Sequence, residues 1–458
     1  MDEFSVRGKQ VVVVGAARSG VAAAKLLLSR GAFVTLTDLR MDVKGVTDLR
    51  RTGIVLELGG HSKETLARAD LVVLSPGVSP RQPLVASIRA AGVPVIGEIE
   101  LASRWLRGRL VAVTGTKGKS TVVTLTGRML EAAGLTAVVG GNIGAALSAQ
   151  VEHSEPNVIH IVEVSSFQLE LTETFHPWIA VFLNFSPDHL DRHPNVQMYA
   201  AAKARIFSNQ LETDFSIVNA DDSEVLKLAR CSRARQLLFG VTSPITDGVV
   251  LSNESIVNRT SAGEVPLVPR AAVQLVGRHL LSDVLAAVTV ATRLGVSPQV
   301  MTKAISSFTG LEHTLELVGE VGSIRFINDS KATNVVAARS AIESFSKGLV
   351  PIIGGRFKGG SLSDLGPALA TRAEVVVAIG ESRALVREAL SGVVKVHEAG
   401  TLSEAVRSAF ALAPPGGTVL LAPACSSFDM FRDYAERGRA FKQEVLQLTE
   451  EIQRGREQ

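Results

Sequence analysis

The residues with the clearest chemistry lie in the segment LVAVTGTKGKSTVV, positions 110–123. An apolar, β-branched run leads into a glycine-rich turn, and Lys119, Ser120 and Thr121 follow where a helix is expected to begin. Glycines let the backbone approach an anion, and free N–H groups at a helix N-terminus point at it. The Lys119 ammonium adds positive charge, and a hydroxyl of Ser120 or Thr121 suits the Mg²⁺ that accompanies ATP. The segment therefore predicts a site for a nucleoside triphosphate.

This loop is shorter than the general phosphate-binding loop G-x-x-x-x-G-K-[ST], because only two residues separate Gly115 from Gly118. A glycine-rich strand–helix turn that binds nothing is the alternative for GxxG alone. The GKST that follows an apolar run favours nucleotide binding. We expect the whole loop to contact phosphate: Gly115, Thr116, Lys117, Gly118, Lys119, Ser120 and Thr121.

Carboxylates and histidines follow two further apolar runs. Glu163 in IVEVSSFQLE ends a run that reads as a strand, and a buried carboxylate is costly there unless it meets a cation such as Mg²⁺. A solvent-exposed glutamate on an edge strand is the alternative. In NFSPDHLDRH, the residues Asp188, His189, Asp191 and His193 suit metal binding or general-base chemistry. Ordinary surface histidines in a capped loop would show the same spacing.

Lys203 lies among small residues in MYAAAKARIF, which permits close packing. A buried lysine has a lowered pKa and reacts as the free amine. The alternative is a solvated lysine on a helix surface.

The C-terminal third contains two polar clusters at the ends of apolar runs and a glycine-rich loop between them. They supply Asp329, Ser330, Lys331, Thr333 and Asn334 in INDSKATN, Lys358 in IIGGRFKGG, and Ser426 and Ser427 in LLAPACSSFD. Hydroxyls with lysines suit an anionic substrate that carries a carboxylate. Cys425 is expected to be a small buried residue rather than a nucleophile, because no partner histidine is specified.

The first apolar run ends in GAARSG, residues 15–20, and the next run ends at Asp38, which imitates a dinucleotide-binding fingerprint. The middle glycine of G-x-G-x-x-G is missing, which argues against a nicotinamide-dependent dehydrogenase. A nucleotide or phosphate site at the helix start and simple strand–helix packing both remain open. Ser75, Pro76 and Gly77 lie at another strand end and offer backbone donors, or form a turn.

Strand and helix patterns alternate along almost the whole chain, which predicts α/β architecture with doubly wound parallel sheets. The 458 residues suit three domains, which we place at 1–108, 109–310 and 311–458. The outer two are expected to be Rossmann-like, and the central one a phosphate-loop domain with a mostly parallel sheet. Segment 241–274 predicts short antiparallel strands or an insertion, and a charged helix is predicted over 427–453.

The composition restricts the class of partner. A formal net charge of +3 with dispersed Lys and Arg gives no basic face for nucleic acid or an anionic membrane. We find no signal-peptide pattern and no apolar run of membrane-span length. Two cysteines provide no disulfide framework. We therefore expect a soluble, cytoplasmic protein. We also expect small-molecule substrates and a monomer, although the composition does not determine the oligomeric state.

Together these motifs resemble the Mur ligase family of peptidoglycan enzymes, and within it the members that add D-glutamate. The resemblance extends along nearly the whole chain. It rests on GTKGKST, GGNIG, EVSSFQLE, NFSPDHLDRH, YAAAKARIF, NDSKATN, GGRFKGG and PACSSFDMF.

The resemblance implies an ATP-dependent ligase that joins D-glutamate to UDP-N-acetylmuramoyl-L-alanine through an acyl phosphate. The three domains would bind the UDP precursor, ATP and the amino acid in that order, and closure of the third domain would precede chemistry. Two Mg²⁺ ions are implied, with Ser120, Glu163, His189 and Lys203 as ligands, Lys203 being carbamylated by CO₂.

The resemblance also assigns the remaining candidates. Asp38, Ser75, Pro76, Gly77, Asn142 and Ser165 would contact the UDP substrate; Asp329 would join the phosphate loop at ATP; His313, Lys331, Thr333, Lys358, Ser427 and Tyr434 would bind D-glutamate; and Lys119, His189, Lys203 and Lys331 would be catalytic.

Four positions depart from the usual family pattern. Thr314 replaces an arginine, Leu280 and Asp283 replace asparagines expected near the adenine, and Tyr434 replaces a phenylalanine. Two other functions stay open on the sequence: an amide ligase of another Mur or folylpolyglutamate type that takes a different amino acid, and a non-catalytic sensor of UDP-sugar and ATP.

Overall fold

A computed structural model of the chain describes residues 4–43, 45–189, 192–275 and 277–457. These residues divide into two compact units. One extends to Val273 and includes Leu281–Ser306, and the other comprises Gln274–Leu280 with the chain from Ser307 onward. Three sheets with flanking helices form within the described residues, two in the first unit and one in the second.

The N-terminal sheet contains five parallel strands in the order β3-β2-β1-β4-β5. Its strands are β1 (Gln10–Val14), β2 (Phe33–Asp38), β3 (Val55–Leu58), β4 (Leu71–Leu74) and β5 (Val95–Gly97). Its helices are α1 (Arg18–Ser29), α2 (Val46–Arg50), α3 (Lys63–Ala67), α4 (Pro83–Ala90) and α5 (Glu98–Ser103). Helices cover both faces of the sheet, so residues 11–14 of β1 and all of β4 are continuous apolar runs with buried side chains.

The central sheet has nine strands in the order β14-β13-β12-β11-β10-β9-β6-β8-β7. They are β6 (Arg109–Thr114), β7 (Ala137–Gly141), β8 (Ile159–Glu163), β9 (Ile179–Phe182), β10 (Phe215–Asn219), β11 (Arg235–Gly240), β12 (Gly248–Ser252), β13 (Ser255–Thr260) and β14 (Gly263–Pro269). The helices are α6 (Lys119–Ala132), α7 (Ser166–Leu169), α8 (Val196–Ala204), α9 (Ser223–Leu228), α10 (Arg278–Arg293) and α11 (Pro298–Ser306).

Strands β6 to β12 pair in parallel, whereas β12, β13 and β14 pair antiparallel. The prediction of short antiparallel strands within 241–274 is thereby confirmed, and these strands extend the sheet at one edge. The mixed Thr, Ser, Val and Pro content of that segment lacks a helical period, which is why the sequence identified it.

The C-terminal sheet has six strands in the order β15-β16-β20-β17-β18-β19, all parallel except β15. They are β15 (Glu316–Val321), β16 (Ile324–Asn328), β17 (Leu349–Gly354), β18 (Val375–Ile379), β19 (Lys395–Glu398) and β20 (Thr418–Ala424). The helices are α12 (Val335–Glu343), α13 (Gly366–Ala370), α14 (Arg383–Leu390), α15 (Leu402–Leu412) and α16 (Tyr434–Glu457).

The predicted fold class is confirmed, but the last helix begins later than position 427. The chain after β20 forms turns in which the Ser427 carbonyl accepts from Met430 N at 3.1 Å and Phe431 N at 2.8 Å. The Asp433 carboxylate then accepts from Glu436 N at 2.8 Å, as an N-cap residue does. Among the described residues, no helix is both long and apolar enough to span a bilayer.

Candidate active site

The predicted nucleotide residues meet at one edge of the central sheet. Strands β9, β6, β8 and β7 are neighbours in that order, and the phosphate loop, Glu163 and Asn142 lie at or just beyond their carboxyl ends. Ligands of open parallel sheets bind outside this edge. The topology therefore assembles motifs that are more than 20 residues apart in the sequence.

The phosphate loop turns sharply at Gly118, the N-cap of α6, where φ is +82°. A Cβ atom built there would lie 2.1 Å from Asp283 Oδ1, so both conformation and space require glycine. The Lys119 ammonium donates to the carbonyl oxygens of Gly115 at 2.9 Å and Thr116 at 3.0 Å. The lysine thus lies over the loop in which the sequence predicts phosphate binding.

Asn184 fixes the loop from the neighbouring strand end. Its Oδ1 accepts from Thr116 N at 3.1 Å and from Lys117 N at 2.9 Å, and its Nδ2 donates to Lys117 O at 3.1 Å. Sequence reasoning missed this residue, although it lies two positions after the end of β9, in NFSPDHLDRH. A short polar side chain soon after a buried strand was the available signal.

Glu163 is 3% exposed and connects three segments of the edge. Its Oε2 accepts from the Ser120 hydroxyl at 2.5 Å, and its Oε1 accepts from Asn142 Nδ2 at 2.8 Å. The alternative of a solvent-exposed edge-strand glutamate is wrong, because β8 is an interior strand. In the part of the chain that the structure describes, no basic side chain forms an ion pair with this carboxylate.

This arrangement fits Mg²⁺ chemically, because a hydroxyl and a buried carboxylate supply hard oxygen ligands at the start of the phosphate loop. Across the described ranges, no group of three or more His, Cys, Asp or Glu side chains is placed to hold a metal ion. A divalent ion here would depend on Ser120, on Glu163 and on oxygens of the nucleotide.

Lys203 is 2% exposed, so the alternative of a solvated lysine is wrong. Its ammonium donates to Gly115 O at 2.7 Å and lies 4.9 Å from the centroid of the Tyr199 ring. Burial, and secondly the nearby charge of Lys119, lowers the pKa of Lys203 well below its usual value. The neutral amine is therefore favoured more at Lys203 than at an exposed lysine.

The two predicted histidines differ in environment. His189 is exposed, and its backbone φ is +54°. The centroid of its ring lies 4.9 Å from the centroid of the Phe167 ring. His193 is buried, with Nε2 3.0 Å from Ser166 Oγ, and burial lowers its pKa. Asp188 accepts from the backbone N–H of His189 at 2.8 Å, and Asp191 lies outside the described residues.

In the N-terminal sheet, two predicted substrate residues bond to the turn after β1. Asp38 Oδ2 accepts from Ala16 N at 2.7 Å, and Ser75 Oγ donates to Gly15 O at 2.7 Å. A Cβ on Gly20 would lie 1.8 Å from Gly15 O. The pKa of Asp38 lies well below its usual range, chiefly because the Arg40 side chain donates hydrogen bonds to its carboxylate. The backbone N–H groups of Arg40 and Ala16 lower this pKa further. These groups shape the turn.

Two contacts connect the N-terminal turn region to the central sheet. Arg18 Nη2 donates to Asn142 O at 3.1 Å, and the Arg192 guanidinium donates to the carbonyls of Pro76 and Gly77. Ser165 forms a capping box with Gln168 at the start of α7. Its hydroxyl is thereby engaged within its own helix end.

The C-terminal candidates also share one sheet edge. Strands β16, β20 and β17 are neighbours, and the DSKATN, CSSFD and GGRFKGG segments follow their carboxyl ends. Lys331 and Lys358 are exposed, Thr333 is half-buried and Ser427 is buried. The ammonium groups of two flexible lysine side chains, together with hydroxyl groups at the same edge, can bind a dicarboxylate.

Arg437, which sequence reasoning missed, joins two of these segments from α16. Its guanidinium is buried and donates to Ser330 Oγ at 3.0 Å, Ser330 O at 2.9 Å and Cys425 O at 3.2 Å. Burial lowers the pKa of Arg437 to about 10. Burial also raises the pKa of the Cys425 thiol, in agreement with a residue that packs rather than reacts.

Three further candidates lie beside this edge. His313 is buried, with Nδ1 2.9 Å from Asn328 Nδ2, and burial lowers its pKa. Asp329 is buried and accepts from Leu315 N at 3.1 Å. Tyr434 begins α16, is 40% exposed, and lies edge-on to the His313 ring at 6.2 Å.

Family models match most of the chain. The Mur ligase MurD-like N-terminal domain matches residues 9–97, the Mur ligase middle domain matches 113–291, and the Mur ligase glutamate ligase domain matches 315–425. The chain belongs to the Mur ligase family.

Two similar proteins are both named UDP-N-acetylmuramoylalanine--D-glutamate ligase. The one from Acidobacterium capsulatum is 44% identical over 97% of each chain, and the one from Koribacter versatilis is 42% identical over 98% of this chain and 99% of its own. Among solved structures, the MurF ligase of Thermotoga maritima in complex with ADP superposes with a TM-score of 0.59 at 16% identity. It covers 98% of this chain and 96% of that one, and shows the shared fold.

In this Mur ligase, Asp283 occupies one of the positions that depart from the family pattern. It is 3% exposed, lies against Gly118, and its Oδ2 has no hydrogen-bond partner among the described residues. Burial raises the pKa of Asp283 to about 8, with the charge of Lys119 opposing the shift. The side chain is therefore mostly a protonated, neutral acid at neutral pH. In this state it is uncharged, as the side chain of an asparagine is.

Asp283→Asn should remove a pH dependence of folding. Because the native pKa lies above the unfolded one, the native state binds more protons between about pH 4 and pH 8, and the free energy of unfolding falls as pH rises through that window. Urea unfolding of the two proteins at a series of pH values measures this. The variant should become the more stable protein toward pH 9. Parallel stability profiles would show that Asp283 titrates normally.

Proposed function

We propose that this Mur ligase uses ATP to join D-glutamate to UDP-N-acetylmuramoyl-L-alanine during peptidoglycan precursor synthesis. The observation that carries the proposal is the meeting of the phosphate loop, the Ser120–Glu163 pair and the buried Lys203 at one sheet edge. A generic phosphate-loop protein needs no buried lysine there. The names of relatives 40–44% identical over nearly the whole chain support the choice of D-glutamate.

The domain roles follow the sheets. We assign residues 1–108 to the UDP precursor, 109–310 to ATP and 311–458 to D-glutamate. Asn142 and Ser165 would lie near the muramoyl-alanine end, and Lys331 and Ser427 would bind D-glutamate. We place the reaction in the cytoplasm, and the expected monomer stays a prediction.

The first step transfers phosphate to a carboxylate. An oxygen of the L-alanyl carboxylate attacks the γ-phosphorus, the bond to ADP breaks, and its electron pair remains on the β-phosphate oxygen. Negative charge accumulates around the phosphoryl group as this occurs. The Lys119 ammonium and the N–H groups at the start of α6 would stabilise that charge. Asn184 would keep the loop in place by accepting from the N–H groups of Thr116 and Lys117.

The second step forms the amide. The amine of D-glutamate attacks the acyl carbon, the carbon–oxygen bond to phosphate breaks, and phosphate leaves with its electron pair. The nitrogen gives up its proton to a base. Because an acyl phosphate reacts with water, the carboxylate and the amine must be bound before the phosphate moves.

Mg²⁺ would be held by Ser120 and Glu163, and a second ion by His189 and a carbamylated Lys203. The ions would offset the negative charge of the phosphates. Carbamylation requires a neutral amine: Nζ of Lys203 attacks CO₂, a nitrogen–carbon bond forms and one proton is released, which leaves a carboxylate. The lowered pKa of Lys203 favours this reaction.

Lys203→Arg should lower ligase activity at least ~100-fold, because a guanidinium does not form the carbamate. In ¹³C-bicarbonate, the wild-type protein should show a ¹³C NMR carbamate signal that the variant lacks. Lys227→Arg, on an exposed helix surface, is the matched control. A wild-type protein without the signal but with full activity would contradict carbamylation.

Phosphate release measures the substrate specificity. With ATP and UDP-N-acetylmuramoyl-L-alanine, D-glutamate should stimulate release, whereas L-alanine, meso-diaminopimelate and L-glutamate should not. Lys119→Ala should abolish release and leave affinity for the UDP precursor unchanged, since its ammonium bonds to carbonyl oxygens of the phosphate loop. Turnover with glutamyl folate or another amino acid would favour another ligase. No release with any substrate would favour the sensor.

A further inference from the structure

Arg192 makes contacts that its place in the motif does not explain. Its Nη1 donates to Gly77 O at 3.0 Å and its Nη2 to Pro76 O at 3.2 Å. The same guanidinium lies 4.5 Å from the centroid of the Phe167 ring. One half-buried side chain thus connects the loop after β4 with the start of α7.

The geometry requires arginine in particular. A planar guanidinium can donate in parallel to two successive carbonyls while its face stacks on an aromatic ring. A lysine ammonium can make one of these bonds but cannot form the fork or the stack. The contact therefore fixes orientation as well as distance.

The Phe167 ring also lies close to two histidines. It lies 4.9 Å from the His189 ring and 5.4 Å from the His193 ring, stacked on the latter. Arg192 belongs to the segment that bears the proposed metal ligand His189, and its side chain bonds to the loop assigned to the UDP precursor at Pro76–Gly77.

We propose that Arg192 is a positioning residue that holds the precursor-binding loop in register with the His189 segment. The inference rests on the proposed function. Fixing the Pro76–Gly77 backbone places the UDP end of the precursor, and this determines where its distant carboxylate meets the phosphate loop. A small displacement at such a point reduces reactivity strongly, because the reacting atoms must align.

Arg81 provides a matched control on the same face. It forms an ion pair with Glu170 and donates to the backbone carbonyl of Arg192 at 3.2 Å. Within the described residues, its guanidinium does not bond to Pro76 or Gly77. Arg81 lies in the same loop after β4, so Arg81→Met should weaken the attachment of the loop to Glu170 and leave the bonds from Arg192 to Pro76 and Gly77 in place. A purely structural role of Arg192 would make the two variants behave alike.

The experiment compares Arg192→Met, Arg192→Lys and Arg81→Met with the wild-type chain. Loss of charge-assisted bonds to two carbonyls should raise KM for the UDP precursor by about 10- to 100-fold in Arg192→Met, with kcat lowered. KM for D-glutamate should stay within about twofold. Arg192→Lys should recover part of the loss because one bond can re-form. Calorimetric titration with the precursor, without ATP, should show the same loss of affinity.

Thermal unfolding identifies variants that fail to fold. Equal increases in precursor KM for Arg192→Met and Arg81→Met, or an unchanged precursor affinity in a folded Arg192→Met, would overturn the proposal. A wild-type chain without D-glutamate-dependent turnover would overturn the proposed function only. The calorimetric comparison would then decide the role of Arg192 by itself.

Discussion

The candidate site depends on the hydrogen bonds that the buried carboxylate of Glu163 accepts. This carboxylate accepts from Ser120 at the start of the phosphate loop and from Asn142 beyond β7, so it joins the ends of three neighbouring strands. The Asn142 carbonyl in turn accepts from Arg18 in the N-terminal domain. A charge in this position is costly without hydrogen bonds and a cation, which explains both the polar partners and the fit to Mg²⁺.

The three sheets place their candidate residues in the same way. Each carries its candidate residues after adjacent parallel strands: β2, β1 and β4 in the first sheet, β9, β6, β8 and β7 in the second, and β16, β20 and β17 in the third. Parallel strands end at one edge, where helix starts and loop N–H groups are free to bind anions. Each of the three sheets thus offers an edge of the same kind at which a charged substrate can bind.

Much of this could be predicted from sequence because the informative signals were local. Apolar runs predicted the strands, and the phosphate loop and Glu163 lie at the ends of such runs. Lys203 was identified by the small residues around it. Arg192 and Arg437 were missed because their partners are distant in the chain, and nothing beside them indicates those partners. Asn184 was missed although its place after a buried strand was a signal. Asp38 and Ser75 show a further limit: the sequence placed them at strand ends, but not that their side chains bond to the turn after β1.

The central claim is that the γ-phosphate passes to the substrate carboxylate. The most direct measurement uses UDP-N-acetylmuramoyl-L-alanine labelled with ¹⁸O in the L-alanyl carboxylate, turned over with ATP and D-glutamate. Mass spectrometry of the released phosphate should find one ¹⁸O atom for each turnover, because the attacking oxygen leaves with phosphorus. Phosphate without ¹⁸O would mean that water attacks ATP directly, and would contradict the account.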